Sequence, residues 1–385
     1  MSAAADVATL ARNAVHLLPE RGLEEKLRLE RPLRVKLGID VTSPDIHIGR
    51  AIPLQKMRAF QDEGHLGVLI VGDYTTRIGD PSGRSAERPI LSDEEIDSSA
   101  KTYVDQAMLI LDPDRTEVRY NGEWLSKLSY ADVVRLARTI TVARILERDD
   151  FAQRYAAQEP ISVSELLYPL MQAYDSVAIE ADIELGGTDQ LYNLLAGRDV
   201  MQHYGLEPQV VLTTPLLLSW DDQKMSSSVG NNIPLTMAPE EQFGRTMRIS
   251  DDHLRQWYEL VMESEVPGGE PLEAKLDLAR FIVRRSHGDE AAKAAEDHFT
   301  RVVREGEAPD DVPEAVLPAD DEVHLPALLV EHFGIGSTSD ARRMIAQGGV
   351  KVNGEVVKEL DLPREALDGA LLQAGKRRFM RLRGA

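Results

Sequence analysis

Residues 34–50, RVKLGIDVTSPDIHIGR, decide the fold. The run Arg34-Val-Lys-Leu-Gly-Ile39 is short and mostly apolar, and it ends in a polar, turn-forming stretch, which predicts a strand. A helix is expected over 49–63, and residues 67–72 (GVLIVG) read as a second strand. Strand, polar turn, helix and strand make a βαβ unit, the building block of a parallel sheet. Ligands of such sheets bind beyond the carboxyl ends of the strands. Topology alone therefore assigns the residues after Ile39 and after Val71 to a site.

The rest of the chain extends an α/β pattern. Residues 93–151 read as largely helical, 163–179 as one helix, 210–212 as a short strand and 254–304 as helical. An N-terminal helix is expected with Leu10, Val15, Leu17 and Leu18 as its apolar side. Residues 305–322 hold eight acidic side chains, no basic one, and Pro309, Pro313 and Pro318. That composition predicts a linker with neither a long helix nor a buried strand. Beyond it, 325–333 and 339–347 read as helices, and Asn353-Gly354 marks a hairpin.

Composition narrows the chemistry. The 385 residues contain no cysteine, which excludes disulfides, thiolate zinc and thiol catalysis. No apolar run approaches the ~18 residues of a membrane span, so no membrane partner is expected. The N-terminus has no apolar block of the signal-peptide kind, and its acidic residues argue against a transit peptide; a cytoplasmic location is expected. The net charge of −21 opposes non-specific binding to nucleic acid. The charge is uneven, however. Residues 323–385 carry ten basic and seven acidic side chains, so this tail is at +3 and the remainder at −24. A basic tail on an acidic body fits either a phosphate-backbone partner or a merely basic surface.

Two segments look made for phosphate. In the first, His47, Gly49 and Arg50 open a helix, whose free N–H groups and dipole favour an anion. Gly49 allows close approach, His47 can donate, and Arg50 can bind bidentately. The second, 223–232 (QKMSSSVGNN), is a polar loop with one cation, Lys224, and three hydroxyls. Read alone, it is more often an ordinary serine-rich turn. Tyr168, Gln172 and Asp175 stand at i, i+4 and i+7, one face of a helix. They suit a zwitterion with a polar tip: Tyr168 and Gln172 for an ammonium, Asp175 for a phenol hydroxyl. A core helix with satisfied polar groups is the plainer alternative. In GGTDQ (186–190), Gly187 permits close approach while Asp189 and Gln190 offer acceptors, although read alone the segment is sooner a tight turn. After the second strand, Asp80 can hold an ammonium, and Arg84 and Arg88 lie where they could reach phosphates.

Taken together, the segments HIGR and KMSSS resemble the HIGH and KMSKS signatures of class I aminoacyl-tRNA synthetases, in that order and around a Rossmann-type domain. GIDVTSPDIHIGR, FQDEGH, IGDPSGRSAERP, YPLMQAYDSVAIEADIELGGTDQLYNLLAGR and KMSSSVGN are similar to the bacterial tyrosyl-tRNA synthetase family. The YxxxQxxD and GGTDQ pair separates tyrosine from tryptophan enzymes. The resemblance runs from about residue 30 to the C-terminus, where SDARRMIAQGGVKVNGEVV and QAGKRRFMRLR look like a small RNA-binding domain of S-four type.

The resemblance implies a Rossmann-like parallel-sheet catalytic domain over 1–235 with a helical insertion near 95–160. An α-helical domain over 236–304, the acidic linker 305–322 and a small α+β RNA-binding domain over 323–385 would follow. It implies tyrosine activation by ATP with Mg²⁺, transfer to tRNA(Tyr), no tightly bound protein-ligated metal, and a homodimer with its contact near 120–165. His47, Arg50, Lys224 and Ser227 would be catalytic. Lys36, Thr75, Asp80, Tyr168, Gln172, Asp175 and Gln190 would bind tyrosine. Gly38, Asp40, His47, Gly49, Arg50, Gly187, Asp189, Gln190, Lys224 and Met225 would line the ATP and adenylate side. Arg342, Arg343, Lys351, Lys376, Arg377 and Arg378 would meet tRNA. A buried aspartate that must find a hydroxyl rejects phenylalanine by roughly 10⁵, a figure that belongs to this enzyme family.

Three positions depart from the family pattern. Arg50 replaces the second signature histidine, Ser227 replaces the second signature lysine, and Val41 stands for a common proline. A missing cation costs about 2–4 kcal/mol of transition-state stabilisation unless compensated, and Arg50, Arg84 or Arg88 could compensate. The altered signatures also admit a paralogue that uses the adenylate or charged tRNA in another pathway. A non-catalytic RNA-binding protein is the third reading; it predicts a decayed pocket.

Overall fold

The computed structural model describes residues 3–42, 44–80, 92–305, 312–375 and 378–384. The chain forms two compact units, Met1–Ala238 with Arg245–Leu278, and Pro239–Gly244 with Ala279–Ala385. The stretch 236–304, expected as a domain of its own, is divided between them. Its helices are Pro239–Thr246, Leu254–Trp257, Pro271–His287 and Asp289–Phe299.

The first unit is built on a six-stranded sheet. Its strands are β1 (His16–Leu18), β2 (Arg34–Ile39), β3 (Leu66–Val71), β4 (Thr116–Tyr120), β5 (Ile183–Gly187) and β6 (Val210–Thr214). Their order is β1-β6-β5-β2-β3-β4. β2 runs parallel to both β3 and β5, so chain order reverses on either side of β2. Such a reversal opens a crevice at the strands' carboxyl ends. The helix Ile48–Asp62 connects β2 to β3 as the sequence predicts.

Two edge strands correct the expectations. The N-terminal helix stops at Leu10, and Leu17 and Leu18 belong to β1, antiparallel to β6. Asn13 turns the chain with φ 59°, and the Val15 amide donates to the Thr213 carbonyl. The segment TEVRY inside the supposed helical stretch is β4, the opposite edge, parallel to β3. Thr116–Arg119 are half-buried and Tyr120 is exposed, as suits the edge of a sheet.

The helix Val163–Ile179 covers the sheet. A capping box of Ser162 and Glu165 starts it, and Glu180 in the left-handed region ends it. Ile179 packs with Val68 and Ile70 of β3. Arg154 of the insertion makes a buried ion pair with Glu165 at 2.6 Å, which fixes the helix start to the preceding segment.

The second unit contains a sheet of β7 (Glu314–Val316), β9 (Val350–Val352), β10 (Glu355–Val356), β12 (Leu371–Ala374) and β13 (Arg378–Arg383), in the order β10-β9-β12-β13-β7. β8 (Glu322–His324) pairs with β11 (Asp361–Pro363). The helices Leu325–Phe333 and Thr338–Ala346 bury Leu325, Leu329, Ala341 and Ile345 in the same core as Val350 and Leu372. Asn353 and Gly354 have φ 49° and 88°, the two left-handed residues a tight hairpin needs. The linker expectation needs correction at its C-terminal end. β7 joins this sheet parallel to β13, with Ala315 and Leu317 buried. Pairing with an existing edge needs only a few inward apolar residues, which an acidic average conceals.

Candidate active site

The crevice beyond β2, β3 and β5 is a cavity of about 990 Å³. That is the upper end of the range for small-molecule sites. Its wall includes Gly38, Asp40, His47, Gly49, Arg50, Thr75, Asp80, Tyr168, Gln172, Asp175, Gly187, Asp189, Gln190, Lys224, Met225 and Ser227. Residues read from well-separated motifs thus face one space.

Main-chain pairing joins the two signature segments. The Ile48 amide donates to the Ile233 carbonyl at 3.0 Å, and the Leu235 amide to the Ile46 carbonyl at 2.8 Å. A Cβ on Gly49 would lie 3.3 Å from the His47 ring and 3.5 Å from Met225 Cβ, so the segments touch there. Asn231 steadies the second loop: its Nδ2 donates to both Asp221 oxygens and to the Lys224 carbonyl, and its Oδ1 accepts from the Ser226 amide. Lys224 is half exposed and pairs with Asp189. Ser227 Oγ accepts from Asn232 Nδ2 at 3.2 Å, a hydroxyl contact where the family pattern has a cation.

His47 is the N-cap of its helix, and its Nδ1 accepts from the Arg50 amide at 3.3 Å. Burial first, then the charges of Arg50 and Lys224, lower its pKa to about 3. The ring is therefore neutral near pH 7. With Nδ1 as acceptor, the proton is assigned to Nε2, where it can be donated. Arg50 Nη1 is buried without a hydrogen-bond partner among the described residues. Leaving a buried donor unpaired is unfavourable, and an anion would satisfy it.

A second group of contacts surrounds Asp40 and Asp175. Thr75 Oγ1 donates to Asp40 Oδ1 at 2.8 Å, and the Tyr168 hydroxyl donates to Asp40 Oδ2 at 3.0 Å. Glycine is required at 72, because a Cβ there would lie 2.4 Å from Asp40 Oδ1 and Thr75 Oγ1. Trp124 Nε1 donates to Asp175 Oδ1 at 2.8 Å, and Asn121 Nδ2 to Oδ2 at 3.3 Å. Burial raises the Asp175 pKa to about 7; Lys36, Trp124 and Asn121 oppose that rise, and Glu184 adds to it.

Lys36 corrects an expectation. It does not line the cavity. Its ammonium is fully buried between Glu184 at 2.8 Å, the Gln172 carbonyl at 2.8 Å and Ser176 Oγ at 2.7 Å. A buried cation needs such partners, and these sit behind the wall. Lys36 acts on the site through its field on Asp175. Gln172 Nε2 in turn donates to Glu184 at 3.4 Å.

Arg84, Arg88, Lys376 and Arg377 lie outside the described residues. Arg342 and Arg343 are exposed on the helix Thr338–Ala346, and Lys351 is half-buried on β9. Arg378 Nη1 donates to the Phe333 carbonyl at 2.7 Å, which ties it to the end of a helix. Asn121, Trp124 and Glu184 were not anticipated. Asn121 follows β4 as Asp40 follows β2, so recognising TEVRY as a strand would have pointed to it. Trp124 and Glu184 carry no such signal.

A largely parallel sheet with two backbone-paired loops at its strand ends is the layout of an α/β enzyme whose ligand sits in the crevice. The chain belongs to the family described as tRNA synthetases class I (W and Y), matched over residues 28–304; residues 325–362 match the S4 domain. It is 46% identical to a protein named tyrosine–tRNA ligase from Thermotoga maritima, over 98% of this chain and 97% of that one. A protein of the same name from Moorella thermoacetica is 47% identical over 97% of this chain and 94% of its own. Among solved structures, tyrosyl-tRNA synthetase of Archaeoglobus fulgidus complexed with L-tyrosine is 22% identical, with TM-score 0.62, covering 76% of this chain and 99% of that one. The Aspergillus nidulans mitochondrial enzyme, C-terminally truncated, is 20% identical with TM-score 0.62, covering 78% and 94%. These two likenesses bear on the fold.

Proposed function

We propose that the chain activates L-tyrosine with ATP and transfers it to tRNA(Tyr). One observation carries the reading: a buried carboxylate, Asp175, faces the same cavity as the donors of both signature loops. In the first step the tyrosine carboxylate attacks the α-phosphate, giving tyrosyl-adenylate and pyrophosphate. In the second, a terminal ribose hydroxyl of the tRNA attacks the adenylate carbonyl and AMP leaves. Catalysis is positioning plus charge stabilisation. Asp80, Tyr168 and Gln172 hold the ammonium, Thr75 supports Asp40, and Asp175 accepts from the phenol. Gly38, Asp40, Gly187, Asp189 and Gln190 line the adenylate, with Met225 packed beneath. His47 Nε2–H and the unpaired Arg50 Nη1 donate to the phosphates. Lys224 exchanges Asp189 for the leaving pyrophosphate.

Magnesium would accompany ATP on its phosphate oxygens and neutralise charge there; among the described residues no three His, Asp or Glu side chains converge as a cage. Arg342, Arg343 and Lys351, with Lys376, Arg377 and Arg378, would meet the tRNA backbone. A homodimer would form through the insertion, where Tyr130, Val142, Tyr155 and Val163 are exposed. No helix among the described residues is long and apolar enough to cross a membrane, and a cytoplasmic location accords with the reaction.

Tyrosine-dependent ATP–pyrophosphate exchange and charging of purified tRNA(Tyr) test the reading. Exchange with tyrosine and not phenylalanine, followed by charging, is expected. Exchange without charging would favour the paralogue; neither activity would favour the RNA-binding protein.

A further inference from the structure

A directed chain of hydrogen bonds reaches the cavity wall from behind. Arg148 Nη1 donates to Asn193 Oδ1 at 3.1 Å, Asn193 Nδ2 to Gln190 Oε1 at 3.0 Å, and Gln190 Nε2 to Asp80 Oδ2 at 2.9 Å. Arg148 and Asn193 are both buried. Asp150 grips the guanidinium from Oδ1 at 3.0 Å and Oδ2 at 2.5 Å. The rings of Phe151 and Tyr192 lie 4.9 and 5.3 Å from it.

A side-chain amide can in general sit either way round. Here the two ends leave one choice. A guanidinium only donates and a carboxylate only accepts. Two amides between them must each turn oxygen toward Arg148 and nitrogen toward Asp80. Reversing Gln190 would aim its carbonyl oxygen at the carboxylate and set its N–H₂ against the N–H₂ of Asn193.

We propose that Arg148 and Asn193 are positioning residues for the substrate ammonium: they fix the polarity of Gln190, so that an N–H and never a C=O holds Asp80. This rests on Asp80 being the ammonium acceptor of the proposed function. Neither residue touches substrate. Both act through the orientation of one amide, Arg148 from the insertion and Asn193 from the helix that follows GGTDQ.

The test is steady-state tyrosine-dependent pyrophosphate exchange in the full chain, with wild type, Asn193→Asp, Arg148→Lys and Arg148→Met. Asn193→Asp keeps the volume and the acceptor for Arg148 but has no N–H for Gln190. Its KM for tyrosine is expected to rise about tenfold or more, the effect of losing one hydrogen bond to a charged group, with KM for ATP within about twofold. Arg148→Lys still only donates and should stay within about twofold of wild type for tyrosine, whereas Arg148→Met should not. A wild-type tyrosine KM in Asn193→Asp overturns the proposal. So does an equal loss toward tyrosine and ATP with a lowered unfolding midpoint, which marks a merely structural role. If Asn193→Asp does not fold, equal tyrosine KM values for the lysine and methionine variants overturn it. Absence of exchange in wild type sinks the functional reading and the proposal together; failure of the relay alone leaves wild-type exchange intact.

Discussion

Replacing Asp175 with asparagine should stabilise the free protein at neutral pH and impair it toward tyrosine. Burial raises this carboxyl from 3.8 to about 7. The ionised form is therefore favoured in the unfolded chain. The contribution of Asp175 to stability falls as pH rises from 3.8 to about 7, then stays at the lower level. A gap of about three pH units corresponds to about 4 kcal/mol. Asparagine has no such ionisation. In either orientation, however, its N–H₂ faces a donor, Trp124 Nε1 or Asn121 Nδ2. Asn121 cannot turn freely, because its Oδ1 accepts from the Tyr74 amide at 3.0 Å. That mismatch costs about 1–2 kcal/mol. The net expectation is a gain of about 2–3 kcal/mol above pH 7 and a small loss near pH 4. Urea unfolding of both proteins at several pH values measures it. A difference between variant and wild type that does not grow with pH would refute the reasoning. In exchange assays the same variant should lose about tenfold to a hundredfold toward tyrosine, because a charged acceptor for the phenol is gone.

Other expectations follow from the phosphate loops and the second unit. His47→Ala should lower pyrophosphate exchange by about 10²–10³. Because burial depresses the His47 pKa to about 3, the contribution of His47 to stability is lost as pH falls below 6.5 toward that value; the alanine variant should lack this part of the acid loss, as acid titration of unfolding will show. Compensation for Ser227 predicts that at least one of Arg50→Ala, Arg84→Ala and Arg88→Ala slows exchange about tenfold or more, and wild-type rates in all three would sink that idea. Arg342→Glu with Arg343→Glu should raise KM for tRNA and flatten its salt dependence by about two phosphate contacts, measured by charging at several ionic strengths.

The centre of the first unit was legible in the sequence, and its edges were not. β2, the helix after it and β3 are apolar or strongly periodic, because they are covered by other elements. β1, β4 and β7 are edge strands of three to five residues, each placed by partners remote in the chain. Local pattern cannot report such partners. The site shows the same division. His47, Tyr168, Gln172, Asp175 and Lys224 announce themselves by spacing or by a polar cluster. Asn121, Trp124, Arg148 and Asn193 are single residues whose meaning arises only when the chain brings them against a motif residue. Lys36 entered by resemblance alone, and a position on a strand does not tell what closes over its side chain.

The main-chain bonds between 46–48 and 233–235 bear on how such a centre can change over time. Amide and carbonyl groups are the same whatever side chain follows, so the spacing between the loops is inherited independently of their letters. Arginine can then enter at 50, and serine at 227, without shifting the geometry into which the triphosphate must fit. Held by the backbone, the two loops stay paired whichever side chains stand at 50 and 227.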